Sequence, residues 1–222
     1  MNEAVHDMRK KVAEIGRLLF DRHLTDAAGG NISARVEDLI CMTPRYSGSK
    51  FQWRLRPEQV LVSDLQGNLL EGEGEISREA KVHFRLYQDF PDGQAIVHAH
   101  ARNALVFAAA CQPIEPILEA TLKFGTIQVA HYAPAHSHEL AAFVSECLHG
   151  QEARIRKQAA GVLAPWHGLF VIGKDLDSAF DAVERIDVNA RCILYSRLLP
   201  GIESANPEAL RAGLEDAIQQ YK

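Results

Sequence analysis

Gln94-Ala95-Ile96-Val97-His98-Ala99-His100 is the stretch on which the reading of this chain turns. Its apolar centre reads as a strand. On a strand, residues i and i+2 project from the same face roughly 6–7 Å apart, so His98 and His100 present two imidazoles side by side. Histidines at a strand end are satisfied by carbonyls or solvent about as readily as by a metal, and a metal needs further donors.

Upstream, Ser77 caps a helix over about residues 78–90, with Val82, Phe84, Leu86 and Phe90 as its apolar stripe, and Pro91-Asp92-Gly93 ends it. Nearer the N-terminus, Val5, Met8, Val12, Ile15 and Leu19 mark one helix face. Two short strands follow, Asn31 to Val36 and Leu39 to Thr43, then a loop over 44–50 and a helical start at Arg56-Pro57-Glu58. Val60 to Ser63 and Asn68 to Glu71 flank Asp64-Leu65-Gln66-Gly67 as a hairpin.

Downstream, Ala104 to Cys111 and Ile117 to Phe124 read as helices, Thr126 to Ala130 as a strand, and His138 to Leu148 as a helix capped by Ser137. Gln151 to Gln158 is the most polar segment, a solvated helix end or loop. Gly161 to Ala164 and Leu169 to Ile172 pair around Pro165-Trp166-His167-Gly168, and a long helix runs from Asp177 to Leu199. Asn206-Pro207 opens a last helix, Glu208 to Tyr221. Strands in hairpins and singly between helices predict an α/β fold with substantial antiparallel pairing and helices covering the sheet. One domain over residues 1–222, with 200–222 as a C-terminal helical tail, fits the length.

Composition narrows the partners. Lys plus Arg number 24 against 29 for Asp plus Glu, a net charge of -5 that offers no basic footprint to nucleic acid. The longest wholly apolar run, Ala104 to Cys111, is too short for a bilayer, and Met1 to Ile15 is charged throughout, unlike a signal peptide. Neither nucleic acid nor membrane is expected. Cys41, Cys111, Cys147 and Cys192 are scattered without a Cys-x-x-Cys pair, which fits a reducing cytoplasm.

Several spots add chemistry to the histidine pair. His167 lies in a tight turn where Gly168 lets another group approach, although a histidine beside a tryptophan is commonly packing. Ser77-Arg78-Glu79 puts a hydroxyl and a carboxylate at a helix start, a place that favours anions and also a place for ordinary capping. Asn31 after Gly29-Gly30, and Ser47-Gly48 after Thr43-Pro44, are turn signals of the kind that offer N–H groups to phosphate.

Taken together, Gly-Gly-Asn-Ile-Ser (29–33), Thr-Pro and Ser-Gly (43–48), Ser-x-Glu (77–79), Ile-Val-His-x-His (96–100), Tyr132 before Ala133-Pro134, and His167-Gly168 resemble the class II aldolase/adducin family over about residues 5–199. The resemblance implies a three-layer α/β/α domain on a central, mainly antiparallel sheet, and a homotetramer with active sites between subunits. It makes His98, His100 and His167 metal ligands, with Glu79 the fourth ligand and the acid/base. The cation implied is divalent: zinc first, with manganese, cobalt and iron compatible. Asn31, Ser47, Gly48 and Ser77 match positions that hold a substrate phosphate, and Tyr132 the tyrosine that donates a proton across the subunit interface.

Two departures stand out. Arg45-Tyr46 separate Thr43-Pro44 from Ser47-Gly48, and Arg78 replaces the second serine of the usual Ser-Ser-Glu, where it can give an anion a charge-assisted contact. Tyr221 is a candidate for the family's tail tyrosine. The implied activity is cleavage of a ketose 1-phosphate to dihydroxyacetone phosphate and an aldehyde, with 5-deoxypentulose 1-phosphates and 5-methylthioribulose 1-phosphate as plausible substrates. The alternatives are a sugar-phosphate 4-epimerase, which characteristically has aspartate at the position of Glu79, a methylthioribulose-phosphate dehydratase, and a non-catalytic adducin-like assembly protein, which would generally have lost the metal ligands.

Overall fold

The computed structural model of the chain describes residues 3–198. The helix over 208–221 and Tyr221 lie outside them. Eight strands form one sheet: β1 (Asn31–Val36), β2 (Leu39–Met42), β3 (Leu61–Asp64), β4 (Leu69–Glu71), β5 (Ala95–Ala99), β6 (Gln128–Val129), β7 (Ala159–Ala164) and β8 (Gly168–Gly173). Their order is β4-β3-β2-β1-β5-β8-β7-β6. Every pairing is antiparallel except that of β6 with β7. Among the described residues lie six α-helices: α1 (Glu3–Asp21), α2 (Ala80–Asp89), α3 (Arg102–Ala110), α4 (His138–Leu148), α5 (Glu152–Lys157) and α6 (Leu176–Ser196). Among the described residues, no helix is long and apolar enough to cross a membrane.

Alternation along the strands divides the core into two layers. Ile32, Val97, Ala99, Leu169 and Val171 pack with Val12 and Leu19 of α1, Phe107 of α3 and Val183 of α6. Ile40, Ile96, Val162, Phe170 and Ile172 face the other way, onto Val82 and Leu86 of α2, Leu140 and Val144 of α4 and Ile155 of α5. The fold is therefore a three-layer α/β/α sandwich. β5 is buried on both faces, and each fully buried aliphatic side chain contributes roughly 1.5–3 kcal/mol. His98 shares the face of Ile96, so it points into the layer occupied by α2 and α4.

Local chemistry sets the boundaries. Ser137 caps α4 by accepting the Leu140 N–H at 3.0 Å, as the sequence predicts. Ser77 does not cap α2 directly. The helix begins at Ala80 with Glu79 as its N-cap residue, and the Ser77 hydroxyl accepts the Glu79 N–H and Asn31 Nδ2–H, each at 3.3 Å. Glu79 thereby stays out of the helical turn, with its side chain free to point inward. The predicted helix over 117–124 is a 3-10 segment, Glu119–Phe124, and the N–H groups of Ile117 (2.9 Å) and Leu118 (3.2 Å) ahead of it donate to Asn189 Oδ1. The predicted strand 126–130 shrinks to two paired residues in β6, while Ile127 bridges Ile114 instead. Gln151–Gln158 contains α5, anchored by buried Ile155.

The segment that follows His100 is fixed by Asp187 of α6. Its Oδ1 accepts the N–H groups of Asn103 (2.8 Å) and Ala104 (3.0 Å), and its Oδ2 accepts Asn103 Nδ2–H (2.6 Å). It thus satisfies the N-terminus of α3 from another helix. Replacing Asp187 with Ala is expected to cost about 1–3 kcal/mol of stability, since two helix-end N–H groups lose their partner. Urea unfolding measures this loss, and Asp187→Asn, which keeps one acceptor oxygen, should lose less.

Candidate metal centre and active site

The site grows from three neighbouring central strands. Antiparallel register places Asn31 of β1 opposite His98 of β5, and His98 opposite Phe170 of β8. The His98 ring stacks on Phe170 at 4.1 Å and 12°, and its Nδ1–H donates to Leu169 O at 3.1 Å. With Nδ1–H committed to that carbonyl, Nε2 is the nitrogen turned away from the sheet, toward Glu79. His100 follows β5 directly, with Nδ1 lying 3.3 Å from Asp26 Oδ1, so its Nε2 is also turned outward. His167 comes from the turn between β7 and β8. The three rings approach one another at 5.1, 4.8 and 6.0 Å, and His98, His100 and His167 each offer a ligand atom within 4.8 Å of the others.

Two glycines make this convergence possible. A Cβ on Gly29 would fall 2.1 Å from His100 Cε1, and one on Gly168 would fall 2.8 Å from Ala99 O and 3.1 Å from both the His98 and His100 rings. Gly29 thus gives room to a histidine. Gly48 serves loop packing in the same way, since its Cβ would lie 2.8 Å from the carbonyl oxygens of Asp26 and Ala27.

Glu79 reaches into the cluster from the start of α2. Its Oε2 lies 3.0 Å from His98 Nε2, and its Oε1 lies 2.9 Å from His167 Nε2 and 3.3 Å from His136 Nδ1. Burial by itself would raise the Glu79 carboxyl, but the charge of His98 and the close approach of His167 outweigh it and hold the group well below the carboxylate range. Burial and the neighbouring His98 push His100 down to about 4, so it is a neutral imidazole near pH 7. His136 is also lowered, first by burial.

The donor set fits a cation. Glu79 Oε1, His98 Nε2, His100 Nε2, His136 Nδ1 and Asn31 Oδ1 are all buried without an aligned hydrogen-bond partner, although several lie close to one another. Such orphaned atoms are costly unless something is bound among them. Imidazole nitrogens with a carboxylate suit a borderline divalent metal. Leu169 O and Asp26 hold the outer nitrogens of His98 and His100 in the manner of partners that orient metal-binding imidazoles.

Beside Glu79 lies a pocket lined by residues 27–31, 44–49 and 77–79 and by His136. Asn31, Ser47, Gly48, Ser77 and Arg78 therefore share one concavity. The Ser47 hydroxyl donates to Pro44 O at 2.6 Å, so it is committed to its own loop. Arg45 pairs with Glu75, and the Tyr46 ring lies between the Arg45 guanidinium (4.5 Å) and Lys50 Nζ (4.6 Å). Tyr132 does not line this pocket: it is 57% exposed and packs 5.0 Å from the Trp166 ring, itself 66% exposed. Sequence reasoning missed His136 and Asp26, which backbone geometry alone brings in. It also missed buried His83, whose Nδ1 lies 2.7 Å from Ser33 Oγ and which burial pushes down to about 3. One available signal was position: His83 stands one helical turn after Glu79.

A three-layer α/β/α fold carrying a histidine cluster with a buried carboxylate defines a metal-site enzyme architecture. Residues 10–194 match the Class II Aldolase and Adducin N-terminal domain family. The chain belongs to that family, as an enzyme of the class II aldolase type. It is similar to an L-fuculose phosphate aldolase of Methanococcus maripaludis, 31% identical over 175 residues, covering 78% of this chain and 89% of the relative. A 5-deoxy-D-ribulose 1-phosphate aldolase of Bacillus thuringiensis is 27% identical and spans 96% of both chains. A solved L-fuculose 1-phosphate aldolase superposes with a TM-score of 0.79 at 26% identity, covering 97% of this chain and 96% of that one. Matches named for other chemistry include a methylthioribulose-1-phosphate dehydratase of Pseudoalteromonas translucida, 27% identical over 88% of this chain and 94% of its own.

Two outcomes follow from this geometry. Gly29→Ala should turn the His100 ring aside and remove most bound metal while the melting temperature stays near that of the parent, as metal analysis beside thermal melts would show. The neutral imidazoles also predict acid lability. His83 and His100 titrate near 6.5 when unfolded and lower when folded, so their contribution is complete above about pH 6.5 and is lost as pH falls toward 4 and 3. Metal-free protein should therefore melt at steadily lower temperature through that window, with a shallower slope in His83→Gln.

Proposed function

We propose that the chain is a divalent-metal-dependent aldolase that cleaves a ketose 1-phosphate to dihydroxyacetone phosphate and an aldehyde, and runs the reverse condensation. The observation that carries this reading is the position of Glu79, an ionised carboxylate lodged between His98 and His167 at the mouth of an anion-suited pocket. His98, His100 and His167 would hold the cation with Glu79 as a displaceable fourth ligand, and zinc suits this donor set best. Such a cation supplies Lewis-acid polarisation of the ketone and adjacent hydroxyl.

The residues divide the remaining work. Asn31, Ser77 and Arg78, with the backbone of Ser47 and Gly48, would bind the phosphate near the positive N-terminal end of α2. Glu79 would move the proton at the carbon next to the carbonyl, giving it to that carbon as the carbon–carbon bond breaks and removing it in condensation. Tyr132 would exchange the proton on the aldehyde oxygen. Its exposure beside Trp166 suits a tyrosine that serves a neighbouring subunit, which supports a homotetramer with sites between protomers. The four free cysteines suit a cytoplasmic setting.

Among substrates, a 5-deoxypentulose 1-phosphate is favoured by the end-to-end similarity to the Bacillus thuringiensis relative named for one. Glutamate at position 79 favours aldol cleavage over 4-epimerisation. The deciding assay incubates zinc-loaded protein with 5-deoxyribulose 1-phosphate and fuculose 1-phosphate and detects dihydroxyacetone phosphate with a coupled reductase. A dehydratase would consume methylthioribulose 1-phosphate without releasing that product. Glu79→Gln should keep metal and substrate binding yet lose turnover by roughly two to four orders of magnitude. A near-normal rate would remove Glu79 from the mechanism. Sedimentation should show a tetramer, and a fully active monomer would overturn the shared-site arrangement.

A further inference from the structure

His136 stands outside the His98, His100 and His167 set, yet its Nδ1 lies 3.3 Å from Glu79 Oε1. It is delivered by the loop before α4 on a backbone with φ of 68°, in the left-handed region that non-glycine residues occupy at a cost. Lys81 of α2 holds this conformation by donating from Nζ to His136 O at 3.0 Å. The loop is thus tied to the same helix whose N-cap residue is Glu79.

With a cation held by His98, His100 and His167, the partners left to Glu79 would change. Its closest contacts, His98 Nε2 at 3.0 Å and His167 Nε2 at 2.9 Å, come from the residues that offer ligand atoms. A nitrogen that gives its lone pair to a metal has no proton to donate. Asn31 Nδ2, 3.5 Å from Oε2, and His136 Nδ1 then remain as donors to the carboxylate. His136 Nδ1 is one of the buried atoms without an aligned partner, so a small turn of its ring commits it to Glu79 at no loss elsewhere.

We propose that His136 is a positioning residue: its Nδ1–H donates to Glu79 Oε1 and competes with the metal for the carboxylate, which keeps Glu79 displaceable by substrate. This rests on the reading of Glu79 as a metal ligand and acid/base given above. It carries an unusual signature. Removing His136 should make the protein hold its metal more tightly while turnover slows, whereas losing a loop residue of purely structural value would leave metal retention equal or weaker.

The test follows zinc transfer from zinc-loaded protein to a chelator in the parent, His136→Ala, His136→Asn, Glu79→Ala and the double variant His136→Ala/Glu79→Ala, with circular dichroism reporting folding. His136→Ala should retain zinc about three- to tenfold more tightly, within the range of couplings between contacting residues, and lower kcat more than it raises KM. His136→Asn should return both toward the parent, because asparagine tolerates the left-handed backbone and carries an amide N–H at the place of Nδ1. In the Glu79→Ala background the His136 substitution should have no effect on retention. If alanine unfolds the loop, His136→Gly deletes the same donor on a backbone that accepts this φ. Unchanged or weaker retention in the folded His136 deletion, with Glu79→Ala weaker than the parent, overturns the positioning role alone. Equal tightening with and without Glu79 overturns it also. Parent-like retention in Glu79→Ala instead removes the ligand reading on which the proposal rests, and the proposal with it.

Discussion

A single buried carboxylate organises the functional half of this molecule. Glu79 is held among the imidazoles of His98, His167 and His136, and each of these arrives from a different part of the chain. β5 supplies one, the β7–β8 turn another, and the loop before α4 the third. The contact therefore requires the central strands to be in register and α2 to lie on the correct face of the sheet. A register slip of one residue in β5 would send His98 into the opposite layer, toward α1 and α6, and leave Glu79 without its nearest partner.

The same arrangement is expensive to leave empty. Burial opposes the charged form of His100, and a buried carboxylate requires compensation, yet five polar atoms around the site have no aligned partner. A bound cation would satisfy most of them at once. Metal binding and fold stability are then linked, because a ligand that binds only the folded chain stabilises it in proportion to its affinity. The apolar layers below, from Val97 to Phe170, supply the rigidity that holds these atoms in place against their own unfavourable burial.

How much of this was legible in the sequence depended on whether the signal was local. β5 could be read because an apolar run ending in His-x-His has a two-residue period, and α4 because Ser137 sits immediately before its apolar stripe. The hairpin around 64–67 followed from its turn residues, and Asp64 indeed accepts the N–H groups of Gln66 and Asn68. The 3-10 segment at 119–124 could not be read, because the groups just before it are held by Asn189, 71 to 72 residues away along the chain, and local periodicity carries no information about such a partner. His136 and Asp26 were invisible for the same reason. Ser77 was misread in a different way: its hydroxyl does serve the start of α2, but through Glu79 and Asn31.

The distribution of rigid and adjustable parts explains how such a scaffold can host related reactions. His98 and Phe170 lie on central strands and face the same buried layer, where substitution would disturb the packing against α2 and α4, so the cation-suited end of the site is rigid by construction. The anion-suited end is made of loops. There the Arg45-Tyr46 pair is accommodated at the surface, with Arg45 neutralised by Glu75 and the Tyr46 ring set between two cations, so its charge is largely spent before any anion arrives. Arg78 is exposed at the pocket wall, one residue before Glu79. Under the proposed function, a change of substrate would fall to the loops over 26–30, 44–49 and 131–137, while the cation-suited strands and the carboxylate at the start of α2 stayed as they are.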